Sequence, residues 1–405
     1  MNVTIIGGGA AGFFAAIHCK ETFPSADVVI VEKSDAVLSK VKISGGGRCN
    51  VTHACFEPRA LADHYPRGGK ALIGPFHQFG PRDTMAWFEN RGVPLKIEAD
   101  NRVFPESDSS HSIITCLLDS SLAAGVRLWR ECGVTSIRRQ SNRFELALSN
   151  GETRLSDCVI LATGSGRHGH TLAENLGHRI VPPVPSLFTV KIDDPALTAL
   201  AGVSVAQVNL KLGSAKPKTQ SGPLLITHWG FSGPATIKLS AWAARDFHDS
   251  DYRLPLTVSW LPDLSLDTIN DRLNDLQASS QKSIGGQSPF PELSGRLWVY
   301  LVQKCIPTSS KRWNEISKKE LNRLAESLKA DAYSTTGKST FKDEFVTCGG
   351  VELSEVDFKT MQSRLVPGLF FTGEVLDVDG VTGGFNFQNA WTTGYLAGLN
   401  AIASS

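Results

Sequence analysis

Charge of one sign is nearly absent as an excess: 41 Lys and Arg stand against 40 Asp and Glu over 405 residues, a formal balance of +1. Such a balance excludes a dominant chain-wide attraction to nucleic acid or membrane, although a local basic face is compatible with it. Paired cysteines are also missing. The eight at 19, 49, 55, 116, 132, 158, 305 and 348 include no Cys-x-x-Cys, and a chain of this length needs no disulfide staples. They read as reduced thiols of a cytoplasmic protein. No Gly-x-Ser-x-Gly elbow and no convincing metal-ligand spacing occurs, so serine-hydrolase, dithiol and metal mechanisms recede. Long apolar runs are lacking too. The N-terminus has no basic segment ahead of it, and the last 26 residues, from Gly380, carry no charge yet are too rich in Thr, Asn, Gln and Gly to span a bilayer. An uncharged segment of that kind is buried or faces a ligand.

What is present is glycine at telling places. Val3-Thr4-Ile5-Ile6 runs into Gly7-Gly8-Gly9-Ala10-Ala11-Gly12, after which Phe13, Ala16 and Ile17 recur at helical spacing, and Val28-Val29-Ile30-Val31 stops at Glu32. Strand, tight turn, helix and second strand make a βαβ unit with a Gly-x-Gly-x-x-Gly turn and an acidic residue at the spacing of a dinucleotide site. Gly7 permits the turn, Gly9 lets the backbone approach a pyrophosphate, Gly12 allows close packing, and Glu32 accepts from ribose hydroxyls. A helix is predicted over 109–124, then strands with an Asn150-Gly151 hairpin turn, ending in Cys158-Val159-Ile160-Leu161 and Ala162-Thr163-Gly164.

The texture changes after Val181-Pro182-Pro183-Val184-Pro185. Val203 and Val205, then Val208, Leu210 and Leu212, alternate, as do Leu254, Leu256, Val258 and Trp260, which predicts antiparallel strands of a barrel or sandwich. Between about 264 and 340 the period becomes helical. A buried strand returns at 366–371, followed by Thr372-Gly373-Glu374 and by Gly383-Gly384 opening a helix. The expected architecture is an α/β nucleotide domain of residues 1–188 and 346–405, interrupted by a β-barrel at 189–262 and a helical insert at 263–345. This return favours FAD over NAD, because a flavin needs a second anchor: Glu374 for the ribityl hydroxyls, and N–H groups from Gly384 to Asn386 for the N1/O2 edge. A second Gly-x-Gly-x-x-Gly, Gly164 to Gly169, reads as a decoy in a solvated loop with Arg167, His168 and His170. No acidic strand end follows it.

Lys40-Val41-Lys42-Ile43-Ser44-Gly45-Gly46-Gly47-Arg48-Cys49-Asn50-Val51-Thr52 resembles the signature loop of BaiN/RdsA-type flavoproteins, also described as YhiN-like or aminoacetone-oxidase-family FAD-binding enzymes. Val103-Phe104-Pro105, the 227–235 stretch Thr-His-Trp-Gly-Phe-Ser-Gly-Pro-Ala, Thr347-Cys348-Gly349-Gly350-Val351, Thr360-Met361-Gln362-Ser363 and the 373–380 stretch Gly-Glu-Val-Leu-Asp-Val-Asp-Gly resemble the same family in order. The resemblance implies a glutathione-reductase-like FAD-binding Rossmann domain with an inserted β-barrel and a small helical domain. It implies reduction of carbon–carbon double bonds in small molecules or in a ribosomal RNA uracil, or oxidation of a small amine. Cofactor contacts are expected from Gly7, Gly9, Ala11, Gly12, Glu32, Lys33, Lys40, Ser44, Gly45, Gly46, Arg48, Cys49, Asn50, Ala162, Thr163, Gly164, Gly373, Glu374, Gly383, Gly384, Phe385 and Asn386. The chain departs from the pattern where Gly164-Ser165-Gly166-Arg167-His168-Gly169-His170 replaces a longer Tyr-Pro-containing stretch, and where Gly-Phe-Asn-Phe-Gln-Asn replaces the commoner Gly-Tyr-Asn-Leu-Gln-Trp.

The leading expectation is an FAD oxidoreductase that takes a hydride from NAD(P)H and passes it to an electron-poor double bond of a small-molecule acceptor. Cys49, His228 and Asn386 are the candidate proton or hydrogen-bond donors. Two alternatives stand beside it: a flavin-dependent dihydrouridine synthase acting on ribosomal RNA, and a low-turnover flavin-binding or redox-sensing protein. Residues 190–345 hold 19 Lys and Arg against 16 Asp and Glu. Lys311, Arg312, Lys318, Lys319 and Arg323 crowd around Trp313, a candidate RNA-facing patch in which Trp313 stacks a base; the competing reading is a solvated helix whose glutamates pair with these cations.

Overall fold

The computed structural model describes all residues except 141, 214–215, 307, 309, 339–345 and 403–405. It forms two compact units, residues 1–183 with 346–405, and residues 184–345. The upper boundary expected for the insert, at 345, falls in the segment outside the described residues.

The first unit is built on a seven-stranded sheet. Asn2–Ile6 lies at its middle, parallel to Asp27–Val31 on one side and to Cys158–Leu161 on the other. Leu369–Phe371 pairs in parallel with Cys158–Leu161, and Arg127–Trp129 with Asp27–Val31. Short antiparallel strands Val356–Asp357 and Gln362–Ser363 finish one edge. The central strands are nearly continuous Val, Ile, Leu and Phe, and almost all of their residues are buried, as parallel strands covered on both faces require. The C-terminal strand thus sits two places from the N-terminal one, although some 365 residues separate them in sequence.

The two ends of the chain meet again as helices. Phe385–Asn400 packs along Ala10–Thr22. A Cβ on Gly394 would stand 2.8 Å from the Ala11 carbonyl oxygen, and one on Gly398 2.5 Å from that of Ala15. No side chain larger than hydrogen fits at either place, so these glycines set how closely the helices approach.

In the second unit six strands close a barrel in the order Val190–Ile192, Gly230–Ser232, Lys218–Thr227, Ser204–Leu212, Pro255–Ser259 and Asp331–Lys338. The alternation in 203–212 changes phase between Val205 and Val208, and the pairing with Lys218–Thr227 shifts register at that same place. One extra residue there returns Val208, Leu210 and Leu212 to the buried face. Helices Leu266–Ser279, Gly295–Cys305 and Lys318–Ala330 start at Ser265, Ser294 and Ser317, whose hydroxyls each accept a first-turn N–H. Their Leu273, Trp298, Leu301 and Leu324 share one core with Val208, Phe231 and Trp260 of the barrel.

One expectation is corrected here. The segment 263–345 is not purely helical, because Asp331–Lys338 is a barrel strand. Its buried face is Asp331, Tyr333 and Thr335, so apolar alternation does not reveal it. The buried Asp331 carboxylate accepts from Trp260 Nε1 (3.0 Å), Tyr333 OH (2.5 Å) and Lys304 Nζ (2.5 Å), and Tyr300 OH donates to Asp194 (2.7 Å) beside it. Polar groups fill the place of an apolar row and are hydrogen-bonded, as burial demands.

No described helix is long and apolar enough to cross a membrane. The eight cysteines form no disulfide.

His18, on Ala10–Thr22, is 6% exposed and packs on Phe14, Trp87 and Tyr395, with Nδ1 2.8 Å from the Phe14 carbonyl oxygen. Burial lowers its pKa from 6.5 to about 4, against a smaller opposing pull from the Phe14 carbonyl. The folded state therefore binds fewer protons than the unfolded one between these values. Stability from this group is complete above the unfolded value and is lost as pH falls from 6.5 toward 4, by about 3 kcal/mol in all. We expect His18→Phe to flatten the fall in urea-unfolding free energy across that window; an unchanged slope would show that His18 does not drive it.

Candidate cofactor site

The turn after the first strand is shaped by its neighbours. Gly7 has φ +115°, and a Cβ there would lie 2.4 Å from the Ala162 carbonyl oxygen. Gly12 would meet the Gly7 carbonyl oxygen at 2.0 Å. Around Gly9 a Cβ would find nothing within 4 Å, so the backbone is open on that side. Gly9 is also the N-cap of Ala10–Thr22 and offers no side-chain cap. The first-turn N–H groups have no intrahelical partner, a geometry suited to an anion. Glu32 stands at the end of Asp27–Val31, where its carboxylate accepts from Gly8 N–H (2.8 Å), Ser34 N–H (2.9 Å) and Ser34 Oγ (2.7 Å). Those bonds hold the carboxylate at the turn. Lys33 beside it is exposed.

The signature loop contains three successive glycines in left-handed conformation, Gly45, Gly46 and Gly47, at φ +57°, +69° and +87°. A Cβ on Gly45 would press on Asn50 N and the Phe104 ring at 3.0 Å, whereas Gly46 and Gly47 face open space. Ser44 Oγ donates to the Val41 carbonyl (3.0 Å). Arg48 lies over Phe104 (4.0 Å to the ring centroid) and bonds Glu98 (2.7 Å) and Asp108 (3.3 Å), which pins the loop from outside. Cys49 is fully buried, and burial pushes its thiol up to about 12 against a weaker bond from Ser44. A thiol so enclosed packs the loop and does not exchange protons near neutral pH.

The C-terminal loop arrives through Gly373 and Gly394, both packed against Ala11; Gly373 N–H donates to Thr393 Oγ1 (2.9 Å). Glu374 Oε2 accepts from Lys40 Nζ at 2.5 Å and lies 4.0 Å from where a Gly164 Cβ would stand. Lys40, Glu374, Ala162-Thr163-Gly164 and Ala11 are thus gathered at the same ends of the parallel strands. Gly383 (φ +132°) and Gly384 (φ +93°) open the helix Phe385–Asn400. With its amide turned so that Oδ1 accepts from Gly384 N–H (2.9 Å) and Nδ2 donates to the Thr52 carbonyl (3.0 Å), Asn50 joins the signature loop to this turn.

Several expectations change. Gly384 N–H is taken by Asn50, so the donors left at this helix start are those of Phe385 and Asn386. The Asn386 side chain bonds both backbone groups of Gly380, accepting from its N–H (2.8 Å) and donating to its carbonyl (3.0 Å); it shapes the loop. His228 lies exposed in the turn between Lys218–Thr227 and Gly230–Ser232, in the other unit. The Gly164–Gly169 segment is a loop only as far as Gly166, which caps a helix, Arg167–Asn175, in which Arg167 and His168 are exposed and His170 is buried. Gly169 permits it by leaving room for Thr163, whose Oγ1 would lie 1.8 Å from a Cβ. Trp313 is 4% exposed and stacks on Trp298, so it cannot stack a base. Lys311 pairs with Glu320 (2.8 Å) and Arg323, though exposed, bonds the Cys305 carbonyl (3.3 Å); Arg312, Lys318 and Lys319 are exposed as well.

Other residues join the site without a sequence signal of their own. Buried Gln388 accepts from Thr52 (2.5 Å) and Thr84 (3.0 Å), Trp391 Nε1 donates to the Val51 carbonyl (2.9 Å), and Tyr65 OH donates to the Phe385 carbonyl (2.6 Å). Arg67 makes a two-bond pair with the fully buried Asp379. Ordinary residue types with partners some 300 positions away leave no local pattern. Among the described residues no group of three or more His, Cys, Asp or Glu is placed to hold a metal ion.

Residues 1–400 match the family model described as the HI0933-like protein Rossmann domain. The chain belongs to this family. It is 28% identical to the 3-dehydro-bile acid delta(4,6)-reductase of Clostridium scindens over 99% of this chain and 98% of that one. It is 28% identical to the ribosomal RNA dihydrouridine synthase of Escherichia coli over 100% and 98%. Among solved structures it resembles the 3-ketosteroid-delta4-(5alpha)-dehydrogenase of Rhodococcus jostii RHA1, with TM-score 0.53 and 15% identity over 98% of this chain and 96% of that one, a likeness of fold. Membership in the HI0933-like family agrees with the resemblance carried by the signature loop and the 373–380 stretch.

Gly384→Ala tests the joint between the loops. A Cβ there would stand 2.5 Å from the Thr52 carbonyl oxygen, and the left-handed backbone alone costs about 1–2 kcal/mol with a side chain. Urea unfolding should show at least that loss; full stability would mean that the joint is looser than drawn.

Proposed function

We propose that the chain is an FAD-dependent oxidoreductase that uses NAD(P)H to reduce an electron-poor carbon–carbon double bond in a small molecule. One observation carries this reading: two helix N-termini, at Gly9 and Gly384, open the two helices that pack along one another, with open glycine backbone at Gly9, Gly46 and Gly47. In this assignment the N–H groups of Ala10, Ala11 and Gly12 hold the pyrophosphate and Glu32 accepts from the ribose. Lys40 and Glu374 exchange their mutual ion pair for ribityl hydroxyls and a phosphate. Phe385 and Asn386 N–H groups meet negative charge on the ring, and Asn50 holds their turn in place. Bound flavin supplies hydride transfer at N5. The name of the Clostridium scindens relative, a reductase of an unsaturated bile acid, supports the substrate class.

Purified protein should be yellow and release FAD on heating, and NAD(P)H should bleach it without oxygen. Gly9→Val should reduce FAD loading at least tenfold while circular dichroism stays unchanged, because its branched side chain fills the open side of the turn. A colourless wild-type protein that does not take up added FAD would refute the assignment.

The second reading, dihydrouridine synthesis in ribosomal RNA, draws on the names of the Escherichia coli and Haemophilus influenzae relatives. Exposed Arg312, Lys318 and Lys319 are the cations that favour it. If RNA is the partner, Lys318→Glu with Lys319→Glu should weaken its binding and lower the salt slope by about two, with FAD retained. Unchanged RNA affinity would leave the small-molecule reading standing.

A further inference from the structure

We propose that His53 and His64 form a proton-holding pair that takes up one proton as the bound flavin is reduced and returns it to the substrate. The inference rests on the FAD reading above. It starts from three rings at the Gly383–Gly384 turn. The His53 and His64 imidazoles lie 4.6 and 4.3 Å from the Phe385 ring, nearly parallel to it at 24° and 14°, and 5.7 Å from one another. Phe385 begins the helix whose N-terminus is assigned to the flavin. A Cβ on Gly383 would stand 3.5 Å from His53 Cδ2, and the His64 carbonyl accepts the Val381 N–H (2.9 Å). Tyr65 OH donates to the Phe385 carbonyl (2.6 Å). The turn is therefore lined by two imidazoles that are half-buried, neither sealed in nor free in solvent.

Reduction of a double bond needs a proton as well as a hydride, and the groups named for this from the sequence do not supply one at this loop. Cys49 is enclosed with its thiol held up at about 12, and the Asn386 amide is bonded at both ends to Gly380. Imidazole is the side chain that changes charge near neutral pH. At 5.7 Å two imidazolium charges repel, while one is favoured by the Phe385 ring face, so the pair holds a single proton. Other ionisable groups surround them. Cys55 and Glu57 follow His53, Asp63 and Tyr65 flank His64, and Asp377 lies on the loop. Arg67 is neutralised by Asp379, and Arg102, opposite His53 in the strand pairing, by Glu98 and Asp100. Burial raises the Cys55 thiol and, far more, the Tyr65 hydroxyl, so neither competes for the proton near neutrality.

The balance closes. A bound flavin would take two electrons and one proton from NAD(P)H as a hydride, and the imidazole pair would take a second proton from solvent. The acceptor then receives the hydride on one carbon and the imidazolium proton on its neighbour, the carbon–carbon π bond breaks, two C–H bonds form, and the pair returns to neutral.

The test needs no acceptor. The midpoint potential of bound FAD is measured against reference dyes through and just above neutral pH, in wild type and in His53→Phe, His64→Phe and the double variant. The phenylalanines keep a ring in each place. In wild type two protons accompany two electrons, so potential should fall with pH about twice as steeply as in the double variant, where one does. Equal slopes in wild type and in the FAD-loaded double variant would overturn the proposal. Failure of wild type to bind FAD would instead refute the cofactor reading, so the two failures are distinguishable.

Discussion

The close approach of the helices Ala10–Thr22 and Phe385–Asn400 is the constraint on which the first unit depends. Gly394 and Gly398 let one helix lie against the Ala11 and Ala15 carbonyls of the other, and Gly373 packs on the Ala11 methyl at the same end. A chain that leaves this unit after residue 183 and returns to it at 346 must rebuild its second half on its first. The helix contact, with the strand pairing of Leu369–Phe371 to Cys158–Leu161, makes that return specific. The second anchor assigned to the cofactor follows from it, since Lys40 meets Glu374 and Asn50 meets Gly384 only once the two ends are side by side.

A second layer of polar contacts holds these loops without lining them. Gln388 ties Thr52 and Thr84 to the C-terminal helix, Arg67 holds Asp379, and Arg48 lies between Phe104 and its two carboxylates. Apart from the exposed Asp108 these groups are buried or half-buried and hydrogen-bonded, so removing one partner leaves the other unsatisfied, and position is what they provide. The inserted unit uses the same device around Asp331, where Trp260, Tyr333 and Lys304 meet a buried carboxylate on a barrel strand.

The α/β class, the Gly7–Gly12 turn, the return of the fold near Leu369 and two of the six barrel strands, Ser204–Leu212 and Pro255–Ser259, were legible because each is a local pattern: period two, period 3.6, or glycine at fixed offsets. Even the bulge in Ser204–Leu212 was written as a phase change in the alternation. Asp331–Lys338 escaped because its buried face is polar, and the Arg167–Asn175 helix because its opening glycines resembled a loop. The exposure of Trp313 could not be read from the cations beside it, since burial against Trp298 depends on a neighbouring helix. His53, His64, Gln388 and Tyr65 carried no motif at all. Their place is visible only when residues some 300 positions apart are brought together.

The central claim is that the two helix N-termini grip one dinucleotide. Amide hydrogen exchange of the folded protein with and without FAD tests it most directly. The account predicts that FAD slows exchange at Ala10–Gly12 and at Phe385 and Asn386 together, at the same concentration of cofactor. Protection confined to one helix start, or appearing at the Arg167–Asn175 helix and at neither of these, would contradict it.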